Sequence, residues 1–491
     1  MPRTVPEQAG YQARKKVKNC SSATMEGRQR AAGIQYGHGI MQDAGKGGGS
    51  FSGIDGVGNE GIIPSFCLAA FCYGNSVSTK DGLAALYGID HKPLYNGGHH
   101  CTPETGRNGI MTAHTHSRDG QSRVVYLDAN ATEPLRPQAR DALLEAADMT
   151  GNPSSVHRTG RMARAVLESA RDTVAQMFEV EPLNCIFTSG GTEANVLAMH
   201  GLGQGRRFLV GATEHDAVRK GVLEGALVNW LPVNPNGQVE LDALEAALAA
   251  DESPAFVCLM LANNETGVLH PLAEVAALCQ RYGAHLHVDA VQAAGRMAFS
   301  VATIGAQSVA ISGHKIGGPK GAGALLLAGP APARVAPLFE GGGQEQGRRG
   351  GTQPLPAIAG LAAALKAAVE TPRDLSPLRN RLEQAAVAAG AVVCGAEAPR
   401  LGNTTSLALP GRRAQGQLMR LDLANICVSA GSACSSGKVA FSHVLQAMGL
   451  DTLAGEAIRV SLPWNVQEQD IDRFIQAYVG MAQSASPVLG L

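Results

Sequence analysis

An α/β fold built around a mainly parallel sheet is predicted for most of this chain. Three observations carry the prediction. Short apolar runs recur along the chain: CIFTS (185–189), FLVGA (208–212), AFVCLMLA (255–262), AHLHVDA (284–290) and SVAISG (308–313). Helical stretches lie between them, and apolar strands separated by helices read as βαβ units covered on both faces. Glycine is plentiful at 60 residues while aromatics are only 4%, which suits a fold with many tight turns. At 491 residues the chain is longer than one compact domain usually is.

Taken in order, residues 1–120 differ from the rest. They carry GKGGGS (45–50), scattered turn residues and one short apolar run, IIPSFCLAAF (62–71), broken by Pro64. A stretch with so little patterned apolar surface does not offset its ordering entropy of about 1–2 kcal/mol per residue. Residues 1–120 are therefore expected to be a poorly ordered extension of unknown role, and 1–110 to be dispensable, with Met111 an alternative start. VVYLD (124–128) begins the ordered body, and HRTGRMARAVLESARDTVAQMF (157–178) reads as an amphipathic helix. The large domain is assigned to 124–353. A smaller C-terminal α/β domain is assigned to 354–485, from LPAIAGLAAALKAAVE (355–370), the strand TTSLAL (404–409) and helices near 414–423 and 466–483.

The bulk numbers exclude several classes. A net charge of −1 argues against a general nucleic-acid or membrane-surface partner. The opening MPRTVPEQAG has no apolar h-region, and no run approaches the roughly 20 apolar residues of a membrane span. Ten cysteines without CxxC pairs read as thiols of a soluble, cytoplasmic protein. Cys185, Cys258, Cys279, Cys394 and Cys427 sit in apolar patterns and read as packing residues. The lone GxGxxG at Gly56, Gly58 and Gly61 has no strand before it and Pro64 soon after, so it lacks the context of a dinucleotide loop. His99, His100 and Cys101 lack a second ligand pair at zinc spacing, and no resident metal is expected.

Three motifs carry chemistry. In ISGHKIGGPKGAGALLL (311–327) a strand-like run leads into a polar turn holding Ser312, His314 and Lys315. A lysine at a strand end sits where α/β sheets place their ligand crevice, and a partly desolvated lysine can form a Schiff base. In AHLHVDAVQAAG, Asp289 stands at a strand end with Gln292 three residues on, and a carboxylate there can pair with a cationic ring nitrogen. TSGGTEANVLAMHGL (188–202) passes through Gly190 and Gly191 into a helix beginning near Thr192, an anion site of free amides, helix dipole and hydroxyl. A phosphate anchor, a carboxylate and a lysine are the parts needed to bind pyridoxal phosphate (PLP). A fourth stretch, GSACSSG (431–437), surrounds Cys434 with small residues. By itself it reads equally as a nucleophile on a swinging loop or as an exposed loop cysteine; the PLP parts favour the nucleophile.

The motifs together resemble the cysteine desulfurases, the NifS/IscS-like group of the PLP-dependent aminotransferase superfamily. The segments that carry the resemblance are YLDANAT (126–132), GNPSSVH (151–157), TSGGTEAN (188–195), TEHDAV (213–218), ANNETGV (262–268), HVDAVQAAG (287–295), SGHKIGGPKG (312–321), GGGQEQGRRGGT (341–352), SAGSACSSG (429–437) and IRVSL (458–462). The resemblance implies the aspartate aminotransferase-like fold and a homodimer. It implies that Lys315 holds PLP and moves protons at the substrate α-carbon, and that Asp289 keeps the ring nitrogen protonated. Gln292 and Asn264 would hydrogen-bond the phenolic oxygen. Gly191, Thr192, Ser312 and His314 would hold the phosphate, joined by Thr352 of a partner subunit. His215 would stack on the ring and act in acid–base steps, and Arg459, with Asn264, would hold the substrate carboxylate. Cys434 would take the sulfur of L-cysteine as a persulfide, leaving alanine, and pass it to an iron–sulfur scaffold or another acceptor, with which it could transiently share a cluster.

Two positions depart from the family pattern: Glu133 stands where a second threonine is usual, and Pro463 where glycine is common. Rival readings are a selenocysteine lyase or an aminotransferase on the same fold, or a sulfur-carrying scaffold without turnover. Cys434 argues against an aminotransferase. Intact Lys315, His215 and Cys434 argue against a scaffold.

Overall fold

The computed structural model describes residues 123–330, 334–431 and 441–484. The expectations for residues 1–120 and for Cys434 lie outside the described residues.

The ordered body opens with β1 (Val125–Tyr126), α1 (Pro137–Ala147) and α2 (Arg158–Met177). Helix α2 covers the predicted amphipathic stretch. Ala163, Leu167, Ala170 and Val174 recur at helical spacing and are buried as one face, while the His157 side chain caps the N-terminus by accepting from Gly160 N. There follow β2 (Cys185–Thr188), α3 (Gly191–Leu202), β3 (Arg207–Gly211), α4 (Asp216–Arg219), β4 (Val228–Leu231), α5 (Leu241–Ala249), β5 (Ala255–Met260), α6 (Leu272–Arg281), β6 (His285–Asp289), β7 (Ser308–Ser312) and β8 (Gly323–Leu327).

Strands β2 to β8 form one seven-stranded sheet in the order β2-β8-β7-β6-β5-β3-β4. The pairs from β4 through β3, β5 and β6 to β7 are parallel, and β8 is antiparallel to both of its neighbours. The sheet is thus mainly parallel, as the apolar runs predict. Every residue of β5, β7 and β8 is buried, because helices cover both faces. Strand β8 (GALLL) lies at the end of the ISGHKIGGPKGAGALLL motif, beyond the turn that holds Lys315. Its short connection to β7 permits only antiparallel return.

The remainder contains α7 (Leu355–Glu370), α8 (Ser376–Ala388), β9 (Val392–Val393), β10 (Thr404–Ala408), α9 (Ala414–Leu423), β11 (Ile426–Cys427), α10 (His443–Ala447), β12 (Ala457–Ser461) and α11 (Glu468–Gln483). Strands β12, β10 and β9 form an antiparallel sheet, and β1 pairs in parallel with β11.

Packing does not follow the sequence division at 353/354. Leu355, Ile358, Leu361 and Leu365 of α7 belong to the core beneath the large sheet. Val125 and Leu127 belong instead to the C-terminal core, with Leu407, Ile458 and Phe474. Helix α7 is apolar enough to be buried on several sides, and the space beside α1 and α2 supplies that burial. GGGQEQGRRGGT also departs from expectation: a segment so rich in glycine and charge reads as surface, yet Glu345 and Arg348 are buried. Glu345 accepts from Arg171 at 2.7 and 2.9 Å, from Gln353 and from Phe187 N, so its charge is fully met. Cys185, Cys258, Cys279 and Cys394 are buried packing residues as expected, whereas Cys427 is only half-buried.

Candidate active site

The crevice forms where the parallel strands end. Gly190 precedes α3 and gives it no side-chain cap, so the first amides of that helix are left for a ligand. Gly191 is required by close approach: a Cβ there would lie 2.5 Å from Val291 Cγ2. A Cβ on Gly190 would meet only Ser312 Oγ, at 3.7 Å. The tertiary structure thus brings Gly191 against Ser312, with Thr192 exposed on the first turn of α3.

Asp289 ends β6 and is buried. Val291 N donates to its Oδ1 at 2.9 Å and Asn195 Nδ2 to its Oδ2 at 2.8 Å. Burial raises its pKa, while the Val291 amide, His215, Asn195 and Lys315 pull the other way. His215 caps α4: its Nδ1 accepts from Ala217 N at 3.0 Å, which puts the proton of the neutral ring on Nε2.

Lys315 lies in the 3₁₀ turn after β7. Its Nζ donates to the carbonyls of Asn130 and Ala131. Asn130 is the hub of the site. Its carbonyl also accepts from Gln292 Nε2 at 3.1 Å, and its Nδ2 donates to Asn264 O and Thr404 Oγ1, both at 3.0 Å. Its Oδ1 accepts from Arg296 and Asn403. Arg459 Nη1 donates to Asn264 O at 3.2 Å, and Nη2 to Asp128 Oδ1 at 2.8 Å. Lys315, Gln292, Asn264 and Arg459 are therefore joined within one hydrogen-bonded cluster. The sequence reading assigns no role to Asn130 or Asp128. Both lie in the YLDANAT motif, which was the available signal.

His314 faces Thr132: its Nδ1 lies 3.3 Å from Thr132 Oγ1, and burial lowers its pKa to about 4. A neutral ring there has no charge to offer an anion. Thr352 is exposed on the surface of its own chain.

The two departures from the family pattern meet. Glu133 is buried, accepts from Arg296 Nη2 at 3.2 Å, and its Oε2 accepts from Trp464 N at 3.3 Å. Trp464 follows Pro463, and its ring lies 4.8 Å beneath the Arg136 guanidinium. Glu133, Arg296, Trp464 and Lys315 all line one cavity of about 520 Å³.

Comparison with known proteins matches this arrangement. Residues 125–474 match the family Aminotransferase class-V. An IscS-like cysteine desulfurase of Mycobacterium tuberculosis is 37% identical over 383 residues, 74% of this chain and 97% of that protein. The NifS-like protein of Rickettsia africae superposes with a TM-score of 0.69 at 32% identity, covering 74% of this chain and all (100%) of that one. The structure of SspA in complex with cysteine gives 0.62 at 28% identity, over 69% of this chain and 98% of that one.

The chain belongs to the class-V aminotransferases, in their cysteine desulfurase group. The fold is that of the PLP-dependent transferases, and the desulfurases of this family use PLP. The residues present fit that group. The uncapped α3 amides and Ser312 suit a phosphate, buried Asp289 suits a ring nitrogen, and the buried Asn264 Oδ1 has no partner among the described residues. Among the described residues no helix is long and apolar enough to cross a membrane.

Proposed function

We propose that this cysteine desulfurase removes sulfur from L-cysteine as a persulfide on Cys434 and releases L-alanine. The observation that carries the reading is the cluster around Asn130. It links an amine, Lys315, which donates to the Asn130 carbonyl, to a guanidinium, Arg459, which shares the Asn264 carbonyl with the Asn130 side chain. An α-amino acid needs one group at its α-carbon and another at its carboxylate.

Bound PLP supplies an electron sink that makes the bonds at the substrate α- and β-carbons breakable. The chain's own residues do the rest. Gly191, Thr192 and Ser312, with His314 beside them, hold the phosphate. Asp289 holds a proton on the ring nitrogen, while Gln292 and Asn264 hold the phenolic oxygen. Arg459 holds the carboxylate in two-pronged fashion, displacing Asp128 from one prong. Lys315 would hold the cofactor and move the proton at the substrate α-carbon. His215 would lie against the ring and carry protons to and from the reacting atoms. The Cys434 thiolate attacks the substrate sulfur: an S–S bond forms, the substrate C–S bond breaks, and its electron pair stays on carbon, which gains a proton. The enzyme thiol and cysteine thus become an enzyme persulfide and alanine, with no other reactant.

The finer reading is a cytoplasmic homodimer in which Thr352 joins the partner's phosphate site. The persulfide then passes to an iron–sulfur scaffold or another acceptor. Residues 124–353 and 354–485 act as large and small domains, with α7 and the first strand exchanged between their cores, and residues 1–120 stand apart from the chemistry. The small-residue setting of Cys434 and the exposed Thr352 support this.

The test is sulfide and alanine formation from cysteine without a keto acid, with mass mapping of the persulfide. Cys434→Ser is expected to bind PLP and cysteine yet form no persulfide. A persulfide on Cys427 instead, or a requirement for a keto acid, overturns the reading.

A further inference from the structure

Asp289 is the end of a longer series. Asn195 Nδ2 donates to Asp289 Oδ2 at 2.8 Å. Asn195 Oδ1 lies 2.9 Å from His287 Nε2. His287 Nδ1 lies 2.9 Å from Ser308 Oγ, and Ser308 Oγ lies 2.9 Å from His285 Nε2. The members come from α3, β6 and β7, and the parallel pairing of β6 with β7 sets His287 opposite Ser308. Asn195, His287 and Ser308 are 1%, 0% and 0% exposed.

With Asp289 ionised, one direction of every proton satisfies all of these groups. An ionised carboxylate only accepts, so the Asn195 amide nitrogen faces Asp289 and its carbonyl faces His287. His287 Nε2 must then carry a hydrogen. Burial lowers the His287 pKa to about 3, so the ring is neutral and Nδ1 accepts. The Ser308 hydroxyl donates to that nitrogen and accepts from His285 Nε2–H. Each hydrogen in the series points toward Asp289.

We propose that His285, Ser308, His287 and Asn195 form a directional hydrogen-bond relay that holds Asp289 ionised, and that Asn195 and His287 are positioning residues for the cofactor's ring nitrogen. The proposal rests on the reading of Asp289 as the ring-nitrogen partner. The relay answers a local need. Burial acts against a charge on Asp289, and the neighbouring Glu214 carboxyl and Cys258 thiol are themselves pushed well up. His215, Lys315 and the Val291 amide favour the charge from other sides. In so dry a place, aligned donors polarise one another and act strongly on the final acceptor.

The test follows the ¹⁵N shift of the ring nitrogen against pH in protein loaded with ¹⁵N-labelled pyridoxal phosphate. Asn195→Leu and His287→Leu are expected to lower the deprotonation midpoint by about one pH unit. Ser308→Ala is expected to move it less, in the same direction. His287→Gln, whose amide can still donate to Asn195, is expected to restore it. Unchanged midpoints in Asn195→Leu, His287→Leu and Ser308→Ala, beside a collapsed one in Asp289→Asn, refute the relay and leave the Asp289 reading standing. A shift in His287→Leu that His287→Gln fails to restore also refutes it, since packing rather than donation is then the cause. An unchanged midpoint in Asp289→Asn overturns the Asp289 reading and the relay with it. Should His287→Leu fail to fold, Ser308→Ala decides alone.

Discussion

The two walls of the crevice are built in opposite ways. The wall proposed to hold the cofactor ring is made of strand ends and one helix start: Asp289 on β6, Ser312 on β7, Gly191 and Asn195 on α3. Its geometry follows from one parallel sheet. The wall proposed to face the substrate is gathered from remote pieces: Asp128 and Asn130 before α1, Asn264 after β5, Asn403 and Thr404 at β10, Arg459 on β12. The hydrogen bonds between them span 134 to 331 residues of chain. The first wall depends on a sheet that folds as a unit. The second exists only once the two cores are docked, so a change there alters placement before it alters the fold.

The largest expected effect comes from the atom that joins the walls. Lys315→Ala removes the amine that reaches Asn130 and Ala131. Turnover should fall by at least about 10²–10⁴-fold, the range for losing a positioned acid–base group. Sulfide release and retention of PLP through gel filtration check it. Near-normal turnover breaks the assignment.

A substitution outside both walls should act on stability instead. Glu345→Ala leaves Arg171 buried without its bidentate partner, since both side chains are nearly inaccessible at 0% and 7%. Breaking such a pair costs about 3–5 kcal/mol, readable by urea denaturation of the apoprotein. A loss under about 1 kcal/mol would place the pair among weak surface bridges.

Arg459→Lys sharpens the contrast. It keeps the charge but loses the fork that reaches both Asn264 and Asp128. KM for cysteine should rise roughly 10–100-fold, the worth of one charged hydrogen bond, with denaturation nearly unchanged. An equal fall in kcat at constant KM would move Arg459 from holding the substrate to the reaction itself.

The smallest effect is a pH dependence of the fold. Burial lowers His270 from 6.5 to about 4, so it is neutral when folded. A histidine depressed on folding contributes fully above its unfolded value, and that contribution is lost as pH falls through the folded one. The melting temperature should therefore drop between pH 6.5 and 4, and less steeply in His270→Asn. Identical slopes for the two proteins would refute the His270 contribution.

Much of the first wall was legible because its signals are local. AHLHVDA and SVAISG are strands by composition, and the residue that ends each strand is placed by the strand itself. Gly190 and Gly191 before a helical stretch mark an anion site without tertiary knowledge. The second wall was legible only through resemblance, and its hub was missed. Asn130 matters through seven hydrogen-bond partners, and nothing in ANAT shows that its carbonyl meets Lys315 and Gln292.

By itself, the sequence determined the mainly parallel α/β body and the cofactor class, and it singled out Lys315 and Asp289 as the lysine and carboxylate proposed to meet that cofactor. These rest on interactions between residues close in the chain, whose periodicity and spacing can be read directly. The tertiary structure alone decided the antiparallel course of β8, the placing of α7 and β1 in each other's expected cores, and the meeting of Glu133 with Arg296 and Trp464. It also decided the direction of the donors behind Asp289. Each of these depends on which distant surface supplies burial or a hydrogen-bond partner, and a buried polar group takes whatever partner the packing brings to it.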